Sequence, residues 1–290
     1  MNSSTNNILK LAIQKSGRLS EKSLEYIKSA GVSFRKDKNK LRAVSSNFPI
    51  ELLFLRDDDI PGYVETGVAD IGIVGENVLE EVGSQVRITE RMGFSKCRLS
   101  LAIPQSEAYI GAQSLQGKTI ATSYPNLLRK FLEKSGVTAK IHEISGSVEI
   151  APGIGLADAI CDLVSTGTTL RSNGLKEVEV IFKSEAVLIQ NQTLDAEKQA
   201  ILDKLLFRFR SVLRAVHYKY ILMNVPEGAV EKICNVLPGM RSPTIVPLSE
   251  AGWFSLHTVV KENEFWEVID NLKEAGAEGI LVTGIEKMIL

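Results

Sequence analysis

The 290-residue chain carries 34 basic against 35 acidic side chains, a formal net charge of −1, with 44% hydrophobic residues. That balance is ordinary for a water-soluble globular protein and gives no overall attraction to nucleic acid. No run approaches the roughly 18 apolar residues of a membrane span, and residues 1–7 are polar, without the apolar core of a signal peptide. Cys97, Cys161 and Cys234 are odd in number and widely spaced. They form neither a disulfide framework nor a metal-ligand cluster, which suits a reducing cytoplasm. The length leaves room for two or three domains.

Residues 8–13 read as a buried first strand leading into Gln14-Lys15-Ser16-Gly17-Arg18, then a helix capped by Ser20 over residues 21–30 and closed by Gly31. Lys15 and Arg18 flank a flexible turn that serves equally as an anion site or a solvated loop. A strand over 50–55 runs into Arg56-Asp57-Asp58-Asp59-Ile60-Pro61. The three Asp residues suit capping of a helix begun by Pro61, with a Mg²⁺-facing role as the alternative. Gly67-Val68-Ala69-Asp70-Ile71-Gly72-Ile73-Val74-Gly75-Glu76 is an apolar strand leading into a further helix.

Strands are expected at 99–103, 118–122 and 140–144, with a helix from Ser123-Tyr124-Pro125-Asn126 to about residue 135. Residues 160–164 are short and mostly apolar, as in a strand buried on both faces. They lead into Ser165-Thr166-Gly167-Thr168-Thr169, five small residues carrying four hydroxyls. Gly167 permits a tight turn in which successive N–H groups point at one anion, and a helix near Thr169 adds unpaired amides. Asp162 is placed to accept sugar hydroxyls. A cradle for a phosphorylated ribose and a plain N-capped helix start fit this spacing equally. The chain has no Gly-x-x-x-x-Gly-Lys-Ser/Thr, and Gly153-x-Gly155 is not a dinucleotide fingerprint.

Setting Asp70 on Asp162 places Gly75 on Gly167, which suggests an internal repeat of one α/β unit. Two such halves would face each other across a cleft lined by carboxyl ends of strands. A strand over 178–189 then returns to the first half and precedes a long amphipathic helix over 195–215. From residue 218 the expected order is βαββαβ, the ferredoxin-like arrangement, with Trp253, Phe265 and Trp266 as packing residues and an exposed sheet face available to another subunit. His142, His217 and His257 are scattered, and none stands out as a general base.

These residues resemble the ATP phosphoribosyltransferases of histidine biosynthesis, in the long form with a C-terminal regulatory domain. The blocks that carry the likeness include Ile13-Gln-Lys-Ser-Gly-Arg-Leu-Ser20, Arg56-Asp-Asp-Asp-Ile-Pro61, Gly72-Ile-Val-Gly-Glu-Asn-Val-Leu-Glu80, Ile120-Ala-Thr-Ser-Tyr-Pro125 and Leu156-Ala-Asp-Ala-Ile-Cys-Asp-Leu-Val-Ser-Thr-Gly167. The resemblance implies an α/β fold: a bilobal catalytic core like the periplasmic binding proteins, with a ferredoxin-like regulatory domain. Lobe I is then 1–97 with 180–216, lobe II 98–179, and the regulatory domain 217–290. The implied reaction joins N1 of ATP to C1 of 5-phosphoribosyl 1-pyrophosphate (PRPP) with Mg²⁺ carried by the phosphates and no dedicated protein ligands.

By the same resemblance Ser165, Thr166, Gly167, Thr168 and Thr169 hold the 5-phosphate, and Asp162 and Glu149 the ribose side. Lys15, Arg18, Arg56 and Arg98 answer the pyrophosphate and ATP phosphates. Asp70, Glu76, Ser123 and Tyr124 line the ATP side. Asn224, Met240 and Thr244 fall where the family binds histidine as a feedback inhibitor. AMP or ADP would compete, and a homo-oligomer between dimer and hexamer is implied. Three departures stand out: Gly153 in place of an Arg, a segment after Glu80-Glu81-Val82-Gly83 shorter than the long form often carries, and Ala215-Val216-His217-Tyr218 at the entry to the third domain. A non-catalytic bilobal small-molecule sensor is the alternative from another functional class.

Overall fold

The computed structural model describes residues 8–35, 41–237 and 242–290. Met240 and the expected turn at Pro238-Gly239 lie outside the described residues. The chain divides into two compact units: residues 1–25 with 32–202, and residues 26–31 with 203–290.

The first unit begins with β1 (Leu9–Gln14), α1 (Arg18–Ser29), β2 (Arg42–Val44), β3 (Ile50–Leu55), α2 (Ile60–Glu65), β4 (Ile71–Gly75), α3 (Glu76–Val82) and β5 (Arg87–Arg91). It continues through β6 (Cys97–Pro104), β7 (Thr119–Thr122), α4 (Pro125–Ser135), β8 (Lys140–Glu143), β9 (Ala159–Val164), α5 (Thr168–Ser172), β10 (Leu175–Ser184), β11 (Ala186–Gln190) and the start of α6 (Ala196–Ala215). These strands build two sheets, ordered β2-β3-β1-β4-β11-β5 and β10-β6-β9-β7-β8.

The two sheets are the same design. In lobe I, β1 pairs in parallel with β3 and β4, while β11 is antiparallel to β4 and β5. In lobe II, β7 pairs in parallel with β8 and β9, while β6 is antiparallel to β9 and β10. The antiparallel strand of each sheet arrives from the other lobe, so the chain crosses twice. This is the bilobal α/β architecture of periplasmic binding proteins. Central strands are buried on both faces, as their apolar runs require: Leu9, Leu11, Ile13, Ile50, Leu52, Ile71 and Ile73 are inaccessible in lobe I, and Leu99, Leu101, Ile120 and Ile160 in lobe II. Gly72 lets α2 press onto β4, since a Cβ there would stand 2.7 Å from Ile60 Cγ2.

The repeat is real, but its register corrects the one expected. Asp70 immediately precedes β4, and its counterpart is Asp158, immediately before β9, not Asp162 within that strand. Asp70 N–H donates to Lys10 O (3.0 Å) and its carboxylate accepts Lys10 N–H (2.7 Å). Asp158 N–H donates to Thr119 O (2.8 Å) and its carboxylate accepts Thr119 N–H (2.8 Å). Gly67 and Gly155, three residues earlier in each case, both stand at φ +75°. Each Asp thereby locks the start of its strand to a parallel neighbour.

Several local expectations are also revised. Ser20 is the third residue of α1 and buried, so it does not cap that helix. Asp59 occupies the N-cap of α2 in helical backbone conformation, without a side-chain capping bond. The expected single strand over 178–189 is two, β10 and β11, parted at Glu185 because it serves both sheets.

The second unit holds β12 (Tyr218–Pro226), α7 (Val230–Val236), β13 (Thr244–Pro247), β14 (Trp253–Lys261), α8 (Phe265–Glu274) and β15 (Glu278–Gly284). Its antiparallel sheet is ordered β13-β14-β12-β15, the ferredoxin-like order. Alternate residues Ile221, Met223 and Val225 of β12 pack with Leu256, Ile233 and Leu272. Phe265 joins that core, whereas Trp266, at the next helical position, is 74% exposed and does not pack as expected.

The two matched Asp residues differ in burial, and this makes a comparison of variants informative. Asp70 is buried and also ion-paired with Lys198 at 2.8 Å, whereas Asp158 is exposed. Asp70→Ala should lower stability by about 3 kcal/mol, because it strands a mostly buried ammonium as well as a backbone N–H. Asp158→Ala should cost about 1 kcal/mol. Urea unfolding of both variants measures the difference, and equal losses would deny the ion pair its role.

Candidate functional site

The carboxyl ends of β1, β3 and β4 in lobe I and of β7, β8 and β9 in lobe II supply the loops at the cleft. Lys15 follows β1 directly, its N–H bonded to Leu55 O at 2.7 Å, so Lys15 and Arg56 stand side by side at the edge of lobe I. Arg18, at the start of α1, reaches further.

A cavity of about 420 Å³ is lined by Ser165, Thr166, Gly167, Thr168 and Thr169, together with Asp162, Glu149 and, from the facing lobe, Arg18. The expected loop is therefore assembled with its two carboxylates and one cation from across the cleft. Gly167 caps α5 at φ +73°, left-handed backbone that favours glycine. Thr166 and Thr168 hydroxyls lie 3.1 Å apart, facing each other across it. Burial, opposed by its hydrogen bond from the Leu163 N–H and reinforced by Glu149, pushes the Asp162 carboxyl up to about 6.

A second cavity, about 460 Å³, adjoins this one through Arg18 and Ser165. Lys22, Asp57 and Asn77 come to it from lobe I, Lys96 and Cys97 from the crossover, and Tyr124 from lobe II. A third, about 570 Å³, lies between Asp58 and Glu81 on one side and Ser123, Tyr124 and Arg129 on the other. Tyr124 borders both. Its half-buried hydroxyl accepts the Asn77 Nδ2–H at 3.0 Å, and desolvation raises its phenol above the ordinary value.

Four expected site residues are otherwise engaged. Asp70 lies at the amino end of β4, away from the carboxyl ends, in its pair with Lys198. Glu76 is buried and turned to Arg91, which donates to both its oxygens at 2.5 and 2.7 Å. Ser123 Oγ donates to Ile144 O (2.7 Å) and accepts the Gly146 N–H (3.3 Å), bracing a loop rather than offering itself to a base. Arg98 donates from Nε and Nη2 to the two oxygens of Glu177, at 2.5 Å each, and from Nη1 to Ser165 O at 3.1 Å.

Sequence reasoning passed over Glu81, Asn77 and Arg171. Glu81 of α3 accepts the N–H groups of Asn126 (2.7 Å) and Leu127 (2.9 Å), so a lobe I carboxylate occupies the first turn of α4 in lobe II. Arg171 donates to Thr166 O and Thr168 Oγ1, at 3.4 Å each. Its place four residues after Gly167 was the available signal, since that spacing returns a helical side chain to the helix start. Among the described residues, no group of three or more His, Cys, Asp or Glu is spaced to hold a metal ion. No helix there is long and apolar enough to cross a membrane.

The displaced carboxyl of Asp162 has a consequence for stability. Its folded value of about 6 exceeds the ordinary 3.8, so the folded chain binds a proton more tightly than the unfolded one. The burial penalty is full above that value and vanishes as pH falls toward 3.8. Asp162→Asn should therefore stabilise the chain by on the order of 1 kcal/mol at pH 8 and by nothing at pH 4. Thermal melts at the two pH values check this; equal gains at both would contradict it.

Comparison with known proteins bears on the same site. The family model of ATP phosphoribosyltransferase (HisG) matches residues 56–211, more than half the chain, and that of the HisG C-terminal domain matches 215–287. A protein of Cytophaga hutchinsonii named ATP phosphoribosyltransferase is 59% identical over 282 residues, 97% of this chain and 99% of its own. A Bacteroides thetaiotaomicron protein of the same name is 56% identical, covering 98% of this chain and all of its own. A solved structure, the ATP phosphoribosyl transferase (HisG:HisZ) complex from Thermotoga maritima, aligns with a TM-score of 0.63 at 32% identity, over 71% of this chain and 98% of that one. With the hydroxyl-rich loop inside the family model's span and nearly the whole chain aligned with these relatives, the chain belongs to the ATP phosphoribosyltransferase family.

Proposed function

We propose that this chain transfers the 5-phosphoribosyl group of PRPP to N1 of ATP, releasing pyrophosphate in the first step of histidine biosynthesis. The observation that carries this reading is the cavity in which the Ser165–Thr169 loop, Asp162 and Glu149 meet Arg18 from the opposite lobe. Hydroxyls and amides around a left-handed glycine suit a 5-phosphate, and the carboxylates suit the ribose hydroxyls. Lys15, Arg18 and Arg56 supply positive charge at the lobe I edge for pyrophosphate and ATP phosphates. The adenine is assigned to the cavities bordered by Tyr124, which offers an aromatic face.

The reaction requires no protein nucleophile, because the leaving group is already activated. Bond breaking places positive charge on the ribose ring and negative charge on pyrophosphate, so catalysis comes from alignment and from cations at the leaving group. The chemistry that Mg²⁺ supplies when bound is neutralisation of that growing negative charge. With no three-ligand cluster among the described residues, the cation is assigned to phosphate oxygens and water, with Asp162 and Glu149 as the cavity's carboxylates able to meet its water shell. The three cysteines are free, which suits a reducing cytoplasm.

The ferredoxin-like unit is assigned to feedback by histidine. Asn224 pairs with Ser255, and Thr244 with His257, on adjoining strands of the sheet; Met240, the third residue assigned there, lies outside the described residues. ADP and AMP are assigned as competitors of ATP, and a homo-oligomer of two to six copies as the working state.

Thr166→Ala and Thr169→Ala should each weaken PRPP binding, measured by calorimetry, about ten- to hundred-fold, the equivalent of ~1.5–3 kcal/mol for a charge-assisted hydrogen bond. Asp162 must be ionised to accept hydroxyls, so kcat/KM for PRPP should fall as pH drops through about 6. Asp162→Asn should flatten that limb. Arg56→Ala should lower kcat more than ATP affinity. Near-ultraviolet absorbance of adenine, which changes on alkylation at N1, follows turnover; no change with ATP and PRPP together would refute the assignment, and added histidine tests the feedback.

A further inference from the structure

We propose that Arg98 and Arg171 are positioning residues which set the peptide planes of the 165–167 loop so that the N–H groups of Thr166 and Gly167 face the ligand. The inference rests on the reading of this loop as the PRPP phosphate site. In a planar trans peptide, the C=O of one residue and the N–H of the next point in opposite directions. Cis peptide bonds are absent among the described residues. Arg98 Nη1 holds the Ser165 carbonyl at 3.1 Å, which turns the Thr166 N–H the other way. Arg171 holds the Thr166 carbonyl through Nη1 and Nη2, 3.4 Å each, which does the same for the Gly167 N–H. Neither N–H donates to a main-chain acceptor among the described residues.

Each guanidinium is itself held. Arg98 forms a two-pronged pair with Glu177, whose Oε1 also accepts the hydroxyl of Ser100, a buried neighbour on the same strand as Arg98. Its charge is thus matched within lobe II and its fork geometry is spent on fixing a loop, where a residue meeting pyrophosphate would keep its fork open. Arg171 fits closely because residue 167 is glycine: a Cβ there would stand 3.2 Å from Arg171 Nη1. Two guanidiniums on the outside of the loop hold two carbonyls outward, and the amides inside stand ready before the phosphate arrives. Such preorganisation removes a reorganisation cost at binding.

The test uses the full-length enzyme and calorimetric affinities for PRPP and for ATP, taken separately. Arg98→Ala and Glu177→Ala should each weaken PRPP about tenfold and ATP less than about twofold. The Arg98→Ala/Glu177→Ala double variant should be no worse than Arg98→Ala alone, because Glu177 acts only through Arg98. Arg171→Ala should weaken PRPP about fivefold, with Arg171→Lys recovering part of the loss. Arg98→Lys keeps the charge but loses the fork, and it carries the test should Arg98→Ala not fold; it should behave as the alanine variant does toward PRPP. If Glu177→Ala leaves PRPP affinity intact, or Arg98→Lys restores it, Arg98 meets the substrate directly and the proposal is wrong. A Thr166→Ala variant in the same series separates the two failures. If it too binds PRPP normally, the phosphate-site reading itself is wrong; if it binds weakly while the arginine and Glu177 variants do not, only the positioning role is lost.

Discussion

Everything at the cleft depends on the double crossing of the chain between lobes, and that crossing is organised by Glu185. This residue parts β10 from β11. Its carbonyl accepts the Glu76 N–H at 3.0 Å, and its carboxylate accepts the Gly93 N–H at 3.0 Å and lies 3.4 Å from Arg91. Alongside, Met92 N–H donates to Ala186 O and Ala186 N–H to Phe94 O, at 2.9 and 3.0 Å. Two extended segments are therefore tied to each other where they pass from one sheet to the other. Because each sheet borrows its antiparallel strand from the other side, the parallel strands of both end at the same gap.

That geometry explains which residues meet and which do not. Arg18 and the 165–169 loop share a cavity because both follow carboxyl ends. Asp70 sits at an amino end, where it pairs with Lys198. Glu76 follows a carboxyl end yet turns into the crossover, where Arg91 takes it. On the far side of the gap, Glu81 supplies the carboxylate that the exposed first turn of α4 needs, and Asn77 supports Tyr124. The lobes thus meet at hydrogen bonds to backbone and amide groups, contacts that water can replace at modest cost.

Much of this was legible in the residues. The strand at 50–55 was bounded by its own apolar run, and the βαββαβ order of the last unit by its alternating pattern. β2 and β5 were missed because short edge strands such as Arg87–Arg91 alternate charge with only partial burial and look like loop. Trp266 was misplaced because an aromatic pair at consecutive helical positions cannot put both rings on one face, and only Phe265 turns inward. The repeat was visible, but its register was not. Matching glycines to helix starts is a sound local rule, yet Gly75 and Gly167 cap their helices after strands and loops of different length. The true register is carried by a pattern of backbone hydrogen bonds around Asp70 and Asp158, which have no signature beyond Gly-x-Ala-Asp itself.

Placed in that register, the two copies differ at the loop to which the phosphate is assigned. From Asp70 the chain reaches its helix-capping glycine in five residues, and β4 runs straight into α3. The first residue of α3 is then Glu76, whose carboxylate lies at the positive end of the helix with Arg91 behind it. From Asp158 the same journey to Gly167 takes nine residues. The four extra positions extend the strand by one and let Ser165, Thr166 and Gly167 itself lie outside it, with Thr168 rather than an acid at the helix start. An acidic side chain at that position would repel a phosphate, and Thr168 brings none. Lengthening one loop of a duplicated unit, and keeping acid out of it, is enough to make the copies differ: on the proposed assignment, one lobe retains the sugar phosphate, and the other contributes the cations that draw on its leaving group.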